Sequence, residues 1–156
     1  MHTDCLFCKI IAGTVPGHIV WEDEAHIAFL TPFPNTPGFT VLVTREHQPS
    51  KVTALPLERY LKLMEAARTL ATIIDERLGT KRTALVAEGM GIDHAHVKLI
   101  PLHGIPDGPW KPITSGTPDF HLSYRGYLTT NDGPRMPDET LRAVAEALRT
   151  APTTKS

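Results

Sequence analysis

The sequence has 156 residues, 41% hydrophobic and 21% charged, which is enough for one globular domain with one sizeable core. This usage is close to that of ordinary folded proteins, which excludes a wholly disordered chain. A formal net charge of -1 argues against general nucleic-acid binding, although a small anionic ligand needs only a few local donors.

The N-terminal segment sets expectations for location. It has neither a basic start nor a long apolar run, so no signal peptide is expected, and no apolar stretch is long enough to span a bilayer. We therefore expect a soluble, cytoplasmic protein that binds neither nucleic acid nor membrane. A single domain is expected over residues 1–150, followed by a frayed tail at 151–156.

Short runs of β-branched and apolar residues predict a sheet. Polar or proline-rich turns separate these runs, as is typical of strands joined by short connections. The predicted strands cover residues 18–22, 26–30, 39–44, 83–88 and 94–101. A further extended segment is expected at 124–130, after a loop-rich stretch.

The clearest predicted helix runs from about Pro56 to Leu78. Pro56 suits a first helical turn, and Gly79 is typical of a left-handed cap that ends a helix. The expected apolar face comprises Leu57, Tyr60, Leu61, Met64, Ala67, Ala71, Ile74 and Leu78. A short closing helix is expected from Asp138 to Arg149.

The order of these elements predicts an α+β fold. Three strands, a long helix and two more strands indicate an antiparallel sheet of about five strands with the helix on one face. The outer strands of such a sheet have open edges. We therefore expect a homodimer in which the sheet continues across the interface.

The densest chemistry lies in the last predicted strand of this sheet, from Asp93 to Pro101. Because side chains alternate faces along a strand, His94, His96 and Lys98 share one face, each about 7 Å from the next. Such a row is poor for stability, since like charges repel, but it suits an anion with several phosphates. The alternatives are satisfied or solvent-facing histidines, and a His-x-His pair that ligates a metal.

Cys5 and Cys8 are the only cysteines of the chain. In a reducing compartment their C-x-x-C spacing favours metal or redox chemistry over a structural disulfide. Redox chemistry is disfavoured, because no strand and no thioredoxin-type βαβ unit leads into the pair.

Several stretches in a fixed order resemble a known superfamily. They are residues 5–13, 15–16, 21–24, 27–30 and 37–43, His47, and residues 94–101. Over roughly two thirds of the chain, their order and spacing resemble the histidine triad (HIT) superfamily, which is far more specific than the His-x-His pair alone. The resemblance implies a HIT-like fold and a nucleotide hydrolase or nucleotidyl transferase.

The resemblance also implies a mechanism. The middle histidine of the superfamily attacks the α-phosphorus, and water, phosphate or another acceptor resolves the nucleotidyl-imidazole; by position this nucleophile is His96. The implied substrate is a small nucleotide, either a dinucleoside polyphosphate or a nucleoside phosphoramidate. This account needs the ring of His96 to face an open pocket. The alternative is a nucleotide-binding or scaffold protein of the same fold with little or no turnover.

Three features depart from the superfamily pattern. Lys98 stands in place of the third triad histidine, where it would act as a phosphate-facing cation or remain a solvated strand lysine. Residues 88–93 contain neither the Gln nor the Ser that usually precedes the triad, although the amides of Gly89 to Gly91 could form an anion nest rather than an ordinary turn. Thr31 occupies a position where many relatives carry an acid that binds the ribose hydroxyls.

The nucleoside pocket and the metal site are carried over from the resemblance in the same way. The walls of the pocket would be Leu6, Phe7, Ile10, Val15, Phe29 and Pro32, the alternative being that these are core residues. Zinc-bearing relatives match the pattern of Cys5, Cys8, His47 and His94, which implies a structural zinc. Four protein ligands would fill its coordination sphere, so the zinc would not activate water. The alternative is two buried, reduced cysteines and a His94 that only orients His96.

Overall fold

The structure, a computed structural model, describes residues 4–112, 116, 118–129, 134–135 and 137–141. The chain divides into two compact units, Met1–Asp107 and Gly108–Ser156. The first unit holds every strand of the sheet and both helices that cover it. The expected single domain over residues 1–150 stays a prediction.

Five strands form one sheet in the order β1-β2-β3-β5-β4, and every neighbouring pair is antiparallel. The strands are β1 (His18–Glu22), β2 (His26–Leu30), β3 (Thr40–Thr44), β4 (Thr83–Val86) and β5 (His96–Pro101). The α+β fold predicted from the sequence is therefore confirmed. The predicted ends differ slightly, because β4 stops at Val86 and β5 begins only at His96.

The long helix α2 (Leu57–Leu78) covers one face of this sheet. Its buried residues are Leu63, Ala66, Ala67, Leu70 and Ile74, which pack against Ala28, Leu42, Val97 and Leu99 of the strands and against Ala95 just before β5. The predicted apolar face was partly wrong, since Leu57, Leu61 and Leu78 are exposed. The helix carries two overlapping apolar stripes at helical spacing, and only packing on the sheet selects between them. Gly79 ends the helix as predicted, with a left-handed φ of 66°.

A second helix, α1 (Leu6–Ile11), lies on the opposite face and was not predicted. Its Phe7 packs in a second buried cluster with Ile27, Phe29, Val41 and Val43 of the strands. Six residues are too few for a clear helical period, so the sequence alone gave only a weak signal. The helix brings the N-terminal cysteines onto the sheet.

The second unit carries the remaining predicted elements. Residues 124–129 do not form the expected strand, and residues 138–141 are helical. Residues 142–149 of the predicted closing helix and the predicted tail at 151–156 lie outside the described residues. Within the described part of the chain, no helix is both long and apolar enough to cross a membrane.

Candidate active site and metal centre

The backbone holds the ring of His96 in one tautomer. Ala95 and Val97 pack in the core beneath α2, while the ring of His96 lies on the other face, edge-on to Phe7 with 5.5 Å between ring centroids. Nδ1 of His96 lies 2.6 Å from the carbonyl oxygen of His94. Because a carbonyl only accepts, Nδ1–H donates this hydrogen bond, and in the neutral ring Nε2 then carries the lone pair. No described residue forms a hydrogen bond with Nε2.

The ring of His96 is buried. It is 2% exposed in the chain taken by itself, so little of the ring is accessible, and the open pocket expected beside it stays a prediction. Its burial follows from the docking of α1, whose Phe7 lies against it. The side chain of Lys98, the next on the same face, is 31% exposed. This face is therefore more accessible at Lys98 than at His96.

Lys98 is paired with a carboxylate. Its Nζ forms an ion pair with Oε1 of Glu88, a residue for which sequence reasoning proposed no role. Val86 of β4 pairs with Lys98 of β5. Glu88 comes two residues after Val86, and because side chains alternate, it is brought to the same side of the sheet as Lys98. Oε2 of Glu88 is buried and has no hydrogen-bond partner among the described residues. An acidic residue just after one strand, close to a lysine on the neighbouring strand, is the sequence signal that could have identified this pair.

The glycine turn that follows Glu88 packs on the loop after β3. Gly89 and Gly91 have φ values of 71° and 90°. A Cβ at Gly89 would lie 2.5 Å from the carbonyl oxygen of Ser50, whereas a Cβ at Gly91 would meet nothing within 4 Å. The amide of Ser50 donates to Oδ1 of Asp93 at 2.9 Å. These contacts fix the turn beside the strand that carries His96.

Four residues with metal-ligating side chains meet next to this strand. Cys5 precedes α1 and Cys8 lies one turn further, while His47 follows β3 and His94 precedes the neighbouring β5. Nδ1 of His94 lies 3.4 Å from Sγ of Cys5 and 3.6 Å from Sγ of Cys8. Sγ of Cys8 lies 3.4 Å from Nδ1 of His47. All four ligand atoms lie within 4.8 Å of one another, so the cluster can hold a metal ion.

Two distances in the cluster fit a tetrahedral metal. Metal–sulfur and metal–nitrogen bonds of about 2.3 and 2.1 Å, at a tetrahedral angle, would put sulfur and nitrogen about 3.6 Å apart. The Sγ to Nδ1 distances of 3.4 and 3.6 Å at His94 match this value. Nε2–H of His94 donates to the carbonyl oxygen of Thr44 at 2.7 Å, which leaves the Nδ1 lone pair directed at the sulfurs. Burial lowers the pKa of His94 below its ordinary value and favours the neutral form that a metal requires.

The expected nucleoside pocket is gathered only in part. Phe7, Phe29 and Ile10 belong to one hydrophobic cluster on the His96 face, in agreement with the alternative that they are core residues. Leu6 is 44% exposed, and neither it nor Val15 belongs to that cluster. Thr31 is half-buried at the end of β2, and its hydroxyl oxygen accepts a hydrogen bond from the amide of Phe33 at 3.2 Å.

The fold and the site together define an α+β protein with a His-x-His pair at the start of the last strand, one imidazole held by the backbone and the other in a Cys2His2 cluster. The chain belongs to the HIT domain family, whose sequence profile matches residues 12–106. The resemblance stated from the sequence is thereby confirmed.

Relatives and solved structures agree with this assignment. The HIT protein of Bacillus subtilis is 32% identical over 110 residues, which are 67% of this chain and 75% of that protein. A crystal structure from Streptococcus mutans superposes with a TM-score of 0.64 at 23% identity, covering 96% of this chain and 85% of the other, and shows the shared fold. A HIT family hydrolase from Clostridium thermocellum superposes with a TM-score of 0.57 at 27% identity, covering 70% of this chain and 98% of the other.

Two further relatives carry the names of enzymes. An adenylylsulfatase of Arabidopsis thaliana is 26% identical over 106 residues, which are 65% of this chain and 53% of that protein. An adenosine 5'-monophosphoramidase of Saccharomyces cerevisiae is 29% identical over 99 residues, which are 62% and 61% of the two chains.

Proposed function

We propose that the protein is a nucleotide hydrolase or nucleotidyl transferase that acts at an α-phosphorus through a covalent nucleotidyl-His96 intermediate. One observation carries the proposal: the hydrogen bond from Nδ1 of His96 to the carbonyl oxygen of His94, 2.6 Å long. It fixes the tautomer and orientation in which Nε2 presents a lone pair, as an imidazole nucleophile requires. The names of the two enzymatic relatives support a substrate in which adenosine 5'-phosphate carries a second group.

The reaction proceeds in two displacements. Nε2 of His96 bonds to the α-phosphorus as the bond from phosphorus to the leaving group breaks, and the leaving atom takes a proton from solvent where its basicity requires one. Water or another acceptor then attacks the same phosphorus, the phosphorus–nitrogen bond breaks, and the acceptor's proton returns to solvent. The imidazole is thereby restored, and two easier steps replace one hard step.

The neighbouring residues would hold the nucleotide. Lys98 lies at the open end of the His96 face, and the amides of Gly89 and Gly91 lie in a turn whose positive φ values suit a nest of N–H donors. Both would donate N–H hydrogen bonds to the phosphate oxygens on which charge builds. The hydroxyl of Thr31 and the apolar residues around Phe7 are the proposed contacts of the ribose and the base.

We also propose that the Cys2His2 cluster holds a structural zinc ion. Two thiolates and two neutral imidazoles are a donor set that zinc prefers, and the two Sγ to Nδ1 distances at His94 agree with tetrahedral bond lengths. Four protein ligands leave no open position for water, so the ion would fasten α1 to the sheet and stabilise the fold. Elemental analysis of untagged protein, purified without added metal, tests this; less than about a tenth of an equivalent of zinc in folded protein would contradict it.

A second candidate function is nucleotide binding with little or no turnover. The 2% exposure of His96 favours it, because a nucleophile must touch the phosphorus that it attacks. The pairing of Lys98 with Glu88 favours it too, because the charge that would stabilise the transition state is already partly neutralised.

One assay separates the two functions. The wild type, His96→Ala and the control His18→Ala, which alters an exposed histidine of β1, are incubated with adenosine 5'-phosphoramidate and with a diadenosine polyphosphate. The proposal expects turnover and an acid-labile nucleotidyl adduct in the wild type and in His18→Ala, and a loss of roughly a thousandfold or more in His96→Ala. Equal turnover by the wild type and His96→Ala removes the enzyme proposal.

We propose finally that the protein is a cytoplasmic homodimer. Its free cysteines suit a reducing compartment, and β1 and β4 are the open edges of the sheet. Light scattering on the purified protein measures the oligomeric state, and a monomer mass at micromolar concentration contradicts the dimer.

A further inference from the structure

The ion pair between Lys98 and Glu88 changes the charge of the site. Lys98 alone would add a positive charge on the face that carries His96, which favours polyanions. Glu88 cancels that charge at contact distance, so the pair contributes almost no net potential to a ligand further away. His96 adds none either while it is neutral, the form in which Nε2 has a lone pair.

The pair is a poor device for stability. The side chains of Lys98 and Glu88 are 31% and 13% exposed, so both charges have lost much of their hydration. Such pairs often contribute nothing to folding relative to apolar residues of similar volume, and here Oε2 of Glu88 is buried without a partner among the described residues. The structure therefore gives this carboxylate no evident stabilising role.

From this we propose that Glu88 is a specificity-determining residue that sets the charge selectivity of the His96 site. It disfavours nucleotides whose leaving group is a polyphosphate or another polyanion. It favours those whose leaving group departs uncharged or as a cation, such as the amine of a phosphoramidate. This substrate preference rests on the proposed function, whereas its physical basis, the effect of Glu88 on anion binding, does not.

The carboxylate acts in two ways. It competes with the substrate phosphate for the three N–H donors of Lys98, which weakens the binding of every phosphate. It also repels additional negative charge, so the penalty grows with the charge of the ligand, whereas a leaving ammonium is attracted.

Binding measurements test the inference without turnover. Calorimetric dissociation constants for adenosine, AMP, ADP and ATP are compared between the wild type and Glu88→Gln, which keeps the shape and removes the charge. At low ionic strength, Glu88→Gln is expected to leave the dissociation constant of adenosine unchanged. It should lower the dissociation constant of AMP by roughly threefold and that of ATP by about tenfold or more. Equal changes for all four ligands, or none, overturn the inference.

Two further variants exclude a merely structural effect. Glu58→Gln removes an exposed Glu–Lys pair with Lys62 on α2 and is the matched control, expected to leave all four dissociation constants unchanged. Lys98→Met should weaken the binding of ATP more than that of the other ligands. Adding Glu88→Gln to Lys98→Met should recover part of the lost affinity, because the uncompensated carboxylate has been removed. If Glu88→Gln has no effect in the Lys98→Met background, a charge role for Glu88 is wrong.

Kinetics then separate this inference from the proposed function. If the wild type turns over the phosphoramidate, Glu88→Gln should shift the ratio of kcat/KM toward the diadenosine polyphosphate by about tenfold. An unchanged ratio overturns the substrate preference while the enzyme proposal stands. If neither substrate is turned over, the enzyme proposal and this substrate preference fail, and the calorimetry alone decides whether Glu88 controls the charge of the ligand.

Discussion

The backbone carbonyl of His94 accepts a hydrogen bond from Nδ1 of His96, and the side chain of the same His94 belongs to the Cys2His2 cluster. One residue therefore contributes to two sites, through its main chain to the imidazole and through its side chain to the metal centre. Nε2–H of His94 is tied to Thr44, which leaves the ring little freedom to rotate. The orientation of His96 thus depends on how firmly His94 is held.

Loss of a ligand in the cluster should disturb both sites. His47→Ala is expected to lower the metal content from about one equivalent to below about a tenth, and to lower the melting temperature, because α1 is no longer fastened to the sheet. We also expect a lower kcat, because His94 becomes more mobile. Elemental analysis, thermal unfolding and steady-state kinetics measure the three effects. His18→Ala is the control, and a His47→Ala variant with full metal content would show that the cluster is not the site.

Truncation of Phe7 should destabilise the protein. Phe7 is 7% exposed and lies against Phe29 and the rings of His94 and His96, with centroid distances of 5.4 to 5.8 Å. Phe7→Ala is expected to lower the free energy of unfolding by about 3 kcal/mol, through lost burial and a cavity. Phe33→Ala, at a position 87% exposed, should change it by less than about 0.5 kcal/mol. Urea unfolding measures both, and equal losses would show that α1 is not packed as described.

Glycine is required at position 89 more than at position 91. Both residues have positive φ, so alanine is strained at each, but only at Gly89 would the new Cβ collide with the Ser50 carbonyl. Gly91→Ala is expected to lower the free energy of unfolding by about 1 kcal/mol, and Gly89→Ala to lower it by at least about 2 kcal/mol more than that. The difference in urea midpoint between the two variants measures this, and a Gly91→Ala variant as unstable as Gly89→Ala would contradict it.

Asp23 should contribute to sensitivity toward acid. Burial alone would raise the pKa of Asp23, but the ring of His26 and the amides of Ala25 and His26 donate hydrogen bonds to the carboxylate and lower its pKa below 3.8. The folded state therefore binds fewer protons than the unfolded chain in this range. The resulting stability is complete above about pH 5 and is lost as the pH falls through the unfolded value and then the lower folded value.

Substitution of Asp23 tests this pH dependence. Asp23→Asn should lower the unfolding free energy at pH 7 and should flatten its decline between about pH 5 and pH 2, compared with the wild type. Glu24→Gln, at the exposed neighbouring acid, should retain the wild-type decline. Parallel curves for the wild type and Asp23→Asn would show that the carboxylate is not held as described.

Much of the fold could be predicted from the sequence, because its determinants are local. The alternation of Ala95, His96, Val97 and Lys98 assigns their faces through the period of a strand, and packing under α2 agrees with it. Gly79 ends the long helix because a left-handed residue costs glycine little. The resemblance to the HIT family supplied the four residues of the cluster, which the fold brings together.

Other features could not be predicted, because they depend on which surfaces dock. The helix α2 offers two overlapping apolar stripes, and only the sheet decides that Leu63 is buried and Leu61 is exposed. The burial of His96 depends on a short helix that has little period of its own to be recognised.

By itself, the sequence determined the strand order along the chain, the shared face of the two histidines and the residues that can ligate a metal. Only the tertiary structure decided that His96 is covered, and that the charge of Lys98 is cancelled by Glu88, ten residues earlier on the neighbouring segment. The physical reason is that side-chain alternation acts between adjacent residues, whereas burial and ion pairing arise only when separate segments pack together.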